Sequence, residues 1–326
     1  MSSRQSKMLM VGVWVNRNWI LGNWIREIYA RSKPNFIIRW VPFIYSGRRR
    51  VEKFIVPRFR KHDAYFFSYL TIFKKYLEID RVEFSGRSIV LYPHCEPELG
   101  TLEEQVEILN QTYSVHFYCS ADANELMKNG LKPEKVRLAY CAVDVDCVPD
   151  KTITRESNLV VLASRYGPRK GLDILPEIVK RRADLNFVAL GRGWEEFIAN
   201  SSLASATNFS YIKFNKINRN FIFSKATYFM SLSNLEGGPV PLIEALDMGV
   251  IPITTSTGFA PDVLKEGING FMIGINPSVD EVLFVLEKAK RAKLVIKSSE
   301  LTWDRITSLT IQDLREIQKQ NLKVKN

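Results

Sequence analysis

Short apolar runs alternate with stretches of helical periodicity along the whole chain, and this alternation is its main structural signal. A strand followed by a helix, many times over, is typical of an open and mostly parallel sheet. In the first half, the predicted strands are 8–15, 36–42, 64–69, 88–92, 116–119 and 136–140, and the predicted helices are 19–31, 101–110 and 122–129. The pattern predicts an α/β fold.

A polar stretch at 148–157 interrupts the alternation, which then starts again. The predicted strands of the second half are 158–163, 185–190, 209–214, 226–231 and 250–254, and the predicted helices are 171–182, 241–248 and 279–292. We therefore expect two α/β domains, residues 1–150 and 151–300, with a cleft between them, followed by a charged helical segment at 301–326. In such sheets, ligands bind at the carboxyl ends of the strands.

The composition is that of an ordinary globular protein. Of the 326 residues, 46% are hydrophobic and 25% are charged, which excludes disordered and fibrous classes. No apolar run approaches the roughly 18 residues that a membrane-spanning helix needs. The run at 8–15 is short and no cleavage site follows it, so we interpret it as a buried strand and not as an export signal. The cysteines form no Cys-x-x-Cys pair, which disfavours zinc and predicts reduced thiols in a cytoplasmic protein.

Positive charge is concentrated near the amino terminus. The formal net charge is +11, and residues 1–61 hold 14 Lys and Arg against two Glu. The densest part, residues 48–61, also carries aromatic side chains, a combination that suits an anionic surface. It predicts contact with an anionic membrane surface, and hence a peripheral location, or with a phosphorylated acceptor. Nucleic acid is the less favoured partner, and a solvated surface with no partner is the alternative.

A basic loop follows the first predicted strand of the second half. Residues 163–171 read Ala-Ser-Arg-Tyr-Gly-Pro-Arg-Lys-Gly, and they place Arg165 and Lys170 at the strand-end edge, near backbone amides that can also meet an anion. Arg offers a planar fork of donors and Lys a point charge, which is a suitable pair for a diphosphate. The alternative is a basic turn whose side chains are only solvated.

Two glutamates lie eight positions apart after another predicted strand. Glu236 precedes Gly237 and Gly238, which let the backbone approach a ligand closely. Pro241 suits the first turn of a helix that carries Glu244 about one turn inside. The helix start between the two carboxylates is an anion site. This arrangement suits a sugar at Glu236, phosphates at the amides and a ribose at Glu244, whereas the alternative is a capped helix with two incidental acids.

A third element, a strand ending near 254, continues into a Gly258 loop and a turn at 266–271. The order of these three features resembles the retaining GT-B glycosyltransferases of family 4 (glycosyl transferases group 1), and the match covers roughly residues 157–275. The residues that carry the resemblance are Arg165, Lys170-Gly171, Glu236-Gly237, Pro241, Glu244-Ala245, Gly249, Pro252, Gly258 and Asn269-Gly270-Phe271. The sequence departs from the family at Pro239, where Gly is common.

The resemblance implies a GT-B fold, that is, two Rossmann-like domains with a cleft between them. The acceptor is then expected in residues 1–150 and the donor in residues 151–300, while the helix at 301–326 crosses back to the first domain. The implied reaction moves a sugar from a UDP- or GDP-linked donor to an acceptor saccharide, lipid or protein. The anomeric configuration is retained, and neither a metal nor a separate cofactor is needed.

The resemblance also suggests roles for individual residues. Arg165, Lys170 and the helix amides would stabilise the departing diphosphate. His94 follows a predicted strand, as a donor-facing His does in the family. The alternative role for His94 is that of a buried structural side chain. The candidate catalytic residues are Glu236, His94, Arg165 and Lys170. The candidate donor-binding residues are Arg165, Lys170, Gly237, Gly238, Pro239, Val240 and Glu244.

Other interpretations remain open. Asp144 and Asp146 form an Asp-x-Asp pair that could suit a metal-bound diphosphate, but the pattern is short and common by chance. A nicotinamide-dependent dehydrogenase would need a Gly-x-Gly-x-x-Gly loop after the first strand, which the chain lacks. A nucleotide-sugar epimerase of GT-B fold and a non-enzymatic basic binding protein for nucleic acid or membrane are the two remaining alternatives.

Overall fold

The computed structural model describes residues 9–15, 20–32, 36–42, 62–94, 99–292, 294, 296 and 301–324. The basic stretch at 48–61 lies outside these residues, so its predicted contact with an anionic surface stays a prediction. The strands are β1 (Leu9–Val15), β2 (Phe36–Pro42), β3 (Ala64–Phe67), β4 (Ser88–Tyr92), β5 (Ser114–Phe117), β6 (Val136–Leu138), β7 (Glu156–Ala163), β8 (Asn186–Gly191), β9 (Phe209–Lys213), β10 (Ala226–Ser231), β11 (Ile251–Thr255) and β12 (Phe271–Ile273).

Helices connect most of these strands. They are α1 (Ile20–Ser32), α2 (Leu70–Ile79), α3 (Arg81–Phe84), α4 (Leu102–Leu109), α5 (Ser120–Lys128), α6 (Leu175–Arg181), α7 (Glu195–Ala199), α8 (Lys216–Lys225), α9 (Val240–Asp247), α10 (Ala260–Val263), α11 (Val279–Arg291) and α12 (Trp303–Val324). The predicted helix at 171–182 is a 3₁₀ turn over Leu172–Ile174 followed by α6, since Gly171 takes the left-handed conformation just before it.

The chain forms two compact units, one from residues 1–140 with 302–326 and the other from residues 141–301. The division precedes the polar stretch at 148–157, because the residues before that stretch already bond within the second unit. The Cys141 thiol lies 3.8 Å from the carbonyl oxygen of Gly238. The N–H of Asp150 likewise donates to the Ser224 hydroxyl at 2.9 Å.

The first unit contains a parallel sheet with the strand order β2-β1-β3-β4-β5-β6. Strands β3, β4 and β5 are buried along their whole length, and the sequences of β3 and β4 are accordingly almost continuous apolar runs. Strand β5 instead alternates, with Ser114 and His116 as its buried polar residues. Helix α4 begins where it was predicted, because Thr101 and Glu104 form a capping box at its amino end. Aromatic rings fill the space between β3 and the helices that follow it.

Helix α12 belongs to the first unit and is anchored there by a buried carboxylate. Asp313 accepts hydrogen bonds from Ser114 Oγ at 2.6 Å, His116 Nε2 at 2.9 Å and Arg137 Nε at 3.0 Å. Burial acts against ionisation, but the bonds from His116 and Ser114 prevail and lower the pKa of the Asp313 carboxyl group. The carboxyl-terminal helix is therefore held to strands β5 and β6 by a polar network inside the unit.

The second unit contains a parallel sheet with the strand order β12-β11-β10-β7-β8-β9. Its core is formed by apolar side chains of β7, β8 and β10 that pack against α6 and α11. The chain runs outward from β7 through β8 and β9, and it then returns to pair β10 with the other side of β7. Strand order therefore reverses between β7 and β10, and in open α/β sheets ligands bind at the carboxyl ends of the strands at such a point.

Candidate functional site

The loops that follow β7 and β10 meet at the carboxyl end of the sheet. The N–H of Asn234, after β10, donates to the carbonyl oxygen of Arg169, after β7, at 2.8 Å. Gly171 closes the first loop with φ 58°, and a Cβ atom there would lie 3.0 Å from Asn234 Oδ1 and overlap the carbonyl oxygen of Leu232. Glycine is therefore required at this position both by the backbone conformation and by the close approach of the two loops.

Lys170 and Glu236 form an ion pair across these two loops. Their side chains are 16% and 12% exposed, so the pair is largely but not wholly removed from water. Arg165 lies in the same loop as Lys170, just after the end of β7, and it is exposed. The structure thus brings Lys170 and Glu236 into contact and places Arg165 on the same edge of the sheet.

The glycines after Glu236 pack against a second turn. The N–H of Phe259 donates to the carbonyl oxygen of Gly237 at 2.9 Å. Gly258 has φ 55°, and a Cβ atom on it would lie 2.8 Å from the carbonyl oxygen of Glu236. From the other side, Cys141 Sγ contacts the carbonyl oxygen of Gly238. The Gly237–Gly238 backbone is consequently held in one conformation by its neighbours.

Helix α9 begins directly after this backbone, with Pro239 as its N-cap residue and Pro241 in its first turn. The N–H of Leu242 closes the first turn by donating to the carbonyl oxygen of Pro239 at 2.8 Å. The first N–H groups of a helix have no partner within it and favour anions. Because proline has no N–H, Val240 and the preceding Gly238 supply the main-chain donors nearest the helix start.

Glu244 is buried in α9, and its carboxylate faces Arg219 on α8. Arg219 Nη1 donates to Glu244 Oε1 at 2.9 Å, and Nη2 donates to Asp146 Oδ1 at 2.7 Å. Burial raises the pKa of Glu244 to about 7, and the positive charge of Arg219 opposes that rise. Arg219 was not among the residues predicted from sequence, and the predicted ribose contact at Glu244 stays a prediction.

The Asp144-x-Asp146 pair contacts cationic side chains. Lys216 Nζ lies 3.0 Å from Asp144 Oδ2 and 2.9 Å from Asp146 Oδ2, and Asp146 also accepts from Arg219. The hydrogen bonds from Lys216, against a smaller effect of burial, lower the pKa of Asp146. Within the described ranges, no group of three or more His, Cys, Asp or Glu side chains is arranged to hold a metal ion.

His94 is the one candidate residue that the structure places in the first unit, where it follows β4 and is half-buried. All other candidates lie in the second unit. Its predicted contact with the sugar or the acceptor stays a prediction.

One family profile matches most of the second unit. Residues 148–307 match the sequence profile of the family described as glycosyl transferases group 1. The matched segment is nearly half of the chain and lies almost entirely in the second unit. The matched segment contains both basic residues of the first loop, the two glutamates and the Gly258 turn, so the profile match supports the predicted resemblance to group 1 glycosyl transferases.

Curated relatives match part of the chain. A subunit of the human phosphatidylinositol N-acetylglucosaminyltransferase is 30% identical over 187 residues, which are 53% of this chain and 38% of that protein. The glycogen synthase of Desulforudis audaxviator is 29% identical over 140 residues, or 37% of this chain and 28% of that protein. The chain therefore spans less than half the length of the curated relatives that it matches.

Solved structures share the whole architecture at low sequence identity. HepE of Anabaena, in complex with UDP and glucose, has a TM-score of 0.68 at 13% identity, with 98% of this chain and 99% of that chain covered. The sucrose-phosphate synthase of Thermosynechococcus elongatus has a TM-score of 0.70 at 12% identity, with 97% and 98% covered. The chain thus has the predicted GT-B fold, with one Rossmann-like sheet in each unit.

None of the helices in the described residues combines the length and the apolar composition that crossing a membrane requires.

Proposed function

We propose that this chain transfers a sugar from a nucleoside-diphosphate donor to an acceptor, with retention of the anomeric configuration and without a metal ion. The observation that carries the proposal is the Lys170–Glu236 ion pair at the strand-order reversal of a group 1 glycosyl transferase domain. A cation and a carboxylate in contact at this edge offer one group for a phosphate and one for sugar hydroxyls. Both side chains keep some exposure, so a ligand can reach them.

The donor is bound through its diphosphate. Lys170 and Arg165 contribute positive charge, and the N–H groups before α9 contribute directed donors. On donor binding, Lys170 turns from Glu236 to a phosphate oxygen, and Glu236 accepts hydrogen bonds from the sugar hydroxyls. We expect a UDP-linked sugar before a GDP-linked one, because the similar HepE structures hold UDP, glucose and UDP-glucose.

Cleavage of the bond between sugar and phosphate concentrates negative charge on the leaving diphosphate. Preorganised donors at this position stabilise that charge in the transition state, and removing one such donor typically costs about 3 kcal/mol. Arg165, Lys170 and the main-chain amides supply this stabilisation, so a metal ion is not required. The acceptor oxygen then bonds to the anomeric carbon on the face that the diphosphate leaves, and its proton passes to the leaving phosphate oxygen, so the configuration is retained.

The acceptor class is a saccharide, a lipid or a protein hydroxyl, and we place an anionic lipid first. The human relative is named for N-acetylglucosamine transfer to phosphatidylinositol. The basic stretch at 48–61 suits an anionic bilayer surface, which would make the protein cytoplasmic and peripheral at the membrane.

Calorimetric titration with UDP, GDP and ADP tests donor binding directly. We expect UDP to bind in the presence of EDTA, and absence of binding by all three nucleotides would remove the donor site. Incubation with UDP-sugars and phosphatidylinositol vesicles then tests transfer, and NMR of the product reports its anomeric configuration. An isomerised nucleotide sugar without a transfer product would instead identify the epimerase alternative.

Substitution of the loop residues tests their roles. Arg165→Ala and Glu236→Ala should abolish transfer while leaving the circular dichroism spectrum unchanged. Arg169→Ala is the matched control, because it removes an exposed charge from the same loop at a position without a predicted role. Normal turnover in either of the first two variants would contradict the site assignment.

A further inference from the structure

Each glutamate of the 236–244 segment has its own cationic partner. Lys170, from the loop after β7, pairs with Glu236, and Arg219, from α8, pairs with Glu244. The two pairs differ in exposure, because the Arg219 side chain is only 2% exposed. A buried arginine is costly unless its donors are satisfied, so its presence behind Glu244 calls for a physical reason.

We propose that Arg219 is a positioning residue of the donor site, which holds the Glu244 carboxylate in place to accept hydrogen bonds from the ribose hydroxyls of the nucleotide. The inference rests on the proposed function, since it assigns a partner to the residue expected to contact the ribose. Arg219 touches the nucleotide only through Glu244.

The guanidinium group of Arg219 is held in a fixed orientation by three side chains. Nη1 donates to Glu244 in α9 and Nη2 donates to Asp146, while Nε donates to Asn220 Oδ1 at 3.0 Å. The bond to α9 uses one oxygen of Glu244, Oε1. An ionised carboxylate has about four lone-pair sites on two oxygens, so this bond fixes the group and leaves capacity for ligand hydroxyls.

The positive charge of Arg219 also helps the Glu244 carboxyl group to ionise. The groups that face Glu244 are Arg219, Asp144, Asp146 and the thiol of Cys147. Burial raises the pKa of Glu244 to about 7, the two aspartates add to this, and Arg219 opposes it. Without Arg219 the pKa would rise further, and Glu244 would be protonated at neutral pH. A protonated carboxyl group has lost acceptor capacity, so it would bind ribose hydroxyls less well.

The alternative is that Arg219 only ties α8 to the Asp144–Asp146 segment. The chain offers a matched control for this in Arg182, another largely buried arginine of the second unit. Arg182 bonds to Asp184 at 2.7 Å and lies 3.1 Å from Glu287. It precedes β8, so it lies at the amino end of the parallel sheet, opposite to the candidate site. Replacement of Arg182 therefore measures how much stability is lost with a buried arginine when Glu244 is not affected.

The experiment measures UDP affinity by calorimetry between about pH 6 and pH 9, a range that brackets the titration of Glu244. The proteins are the wild type, Arg219→Met, Arg219→Lys, Glu244→Gln and Arg182→Met. The phosphate groups of UDP ionise in the same way in every titration. Differences between the pH curves of the variants therefore arise from the protein. GDP replaces UDP if the wild type binds only GDP.

We expect the wild-type affinity to rise with pH as Glu244 loses its proton. Arg219→Met should bind about tenfold more weakly near pH 7 and approach the wild type near pH 9, because its Glu244 ionises at higher pH. Glu244→Gln should be weak and lack the pH-dependent rise. Arg219→Lys keeps a cation, so its curve should lie between those of the wild type and Arg219→Met. Arg182→Met should lose stability and bind as the wild type does.

The outcomes separate the two proposals. If the wild type binds neither nucleotide, the proposed function fails. If the wild type binds UDP and both Arg219 variants follow its pH curve, the positioning role of Arg219 is refuted and the proposed function stands. The same conclusion follows if both variants lose affinity by the same factor at every pH. Should Arg219→Met not fold, the shift of the Arg219→Lys curve decides between these results.

Discussion

Replacement of Lys170 by Met tests the ion pair on which the proposed function rests. Methionine has nearly the volume of the lysine stem but no charge, so the change removes the cation and keeps most of the packing. It leaves the Glu236 carboxylate, 12% exposed, without the cation that now contacts it. Two effects follow, one on the stability of the second unit and one on the reaction.

The effect on stability is small. Two unit charges in contact attract each other by about 4 kcal/mol at the effective dielectric constant near a protein surface. Most of this is offset by the cost of removing both charges from water, which leaves about 1–2 kcal/mol for a partly buried pair. The melting temperature should then fall by roughly 2–4 °C for each kcal/mol. The effect on the reaction is larger, because loss of one preorganised phosphate donor costs about 10²–10³ in rate.

Steady-state transfer kinetics and thermal melting separate the two effects. The control is Lys180→Met in α6, since Lys180 is 74% exposed and lies 3.8 Å from Glu177. The control should change the unfolding free energy by less than about 0.5 kcal/mol and leave transfer unchanged. A second measurement compares UDP with uridine, because a phosphate contact at Lys170 affects only the former.

A transfer rate of Lys170→Met close to that of the wild type would refute the phosphate role of Lys170. An equal loss of UDP and uridine binding would also refute it, since that result indicates general distortion of the loop. A loss confined to UDP, together with a small change in melting temperature, is the expected result.

Three further predictions concern other parts of the structure. Gly258→Ala should cost about 1–3 kcal/mol in melting experiments and weaken UDP binding, because a left-handed alanine pushes on the Gly237 turn; unchanged UDP affinity would contradict it. The pKa of Glu244 is about 7 in the folded protein, against 4.5 for an unperturbed glutamate. The stability that its protonated form contributes is therefore complete below pH 4.5 and is lost as the pH rises through 7. Glu244→Gln should remove about 3 kcal/mol of this decline in urea unfolding, and identical pH profiles would refute the burial argument. Asp313→Ala should cost about 3–5 kcal/mol because it leaves buried donors without an acceptor, whereas the exposed Asp304→Ala should cost little, and equal effects of the two would argue against the anchoring of α12.

Much of the fold is encoded in local patterns. The strand predicted at 88–92 agrees with β4, because a short continuous apolar run between polar turns favours a buried parallel strand. The start of α9 agrees as well, because Pro241 restricts the backbone to the conformation of a first helical turn.

Helix α8 shows where such patterns fail. No helix was predicted between β9 and β10, since residues 216–225 lack an amphipathic pattern. Ile217 is 81% exposed and Phe221 is 47% exposed, while the charged Arg219 is buried. Exposed apolar residues and a buried arginine thus share this helix with the buried Ile222 and Phe223, so its periodicity does not mark the buried face clearly. The carboxylates of Glu244 and Asp146, which contact Arg219, compensate its buried charge.

The sequence by itself determined the α/β alternation, the two glycine-bearing loops and the residue types of the candidate site, because these depend on interactions between near neighbours in the chain. Only the tertiary structure decided that Lys170 contacts Glu236, that Arg219 stands behind Glu244 and that α12 packs with the first unit. These contacts join residues far apart in the chain. The Lys170–Glu236 contact exists because strand order reverses beside β7 and brings the loops after β7 and β10 to one edge of the sheet, whereas Arg219 and α12 are held by side-chain bonds between elements that the fold packs together.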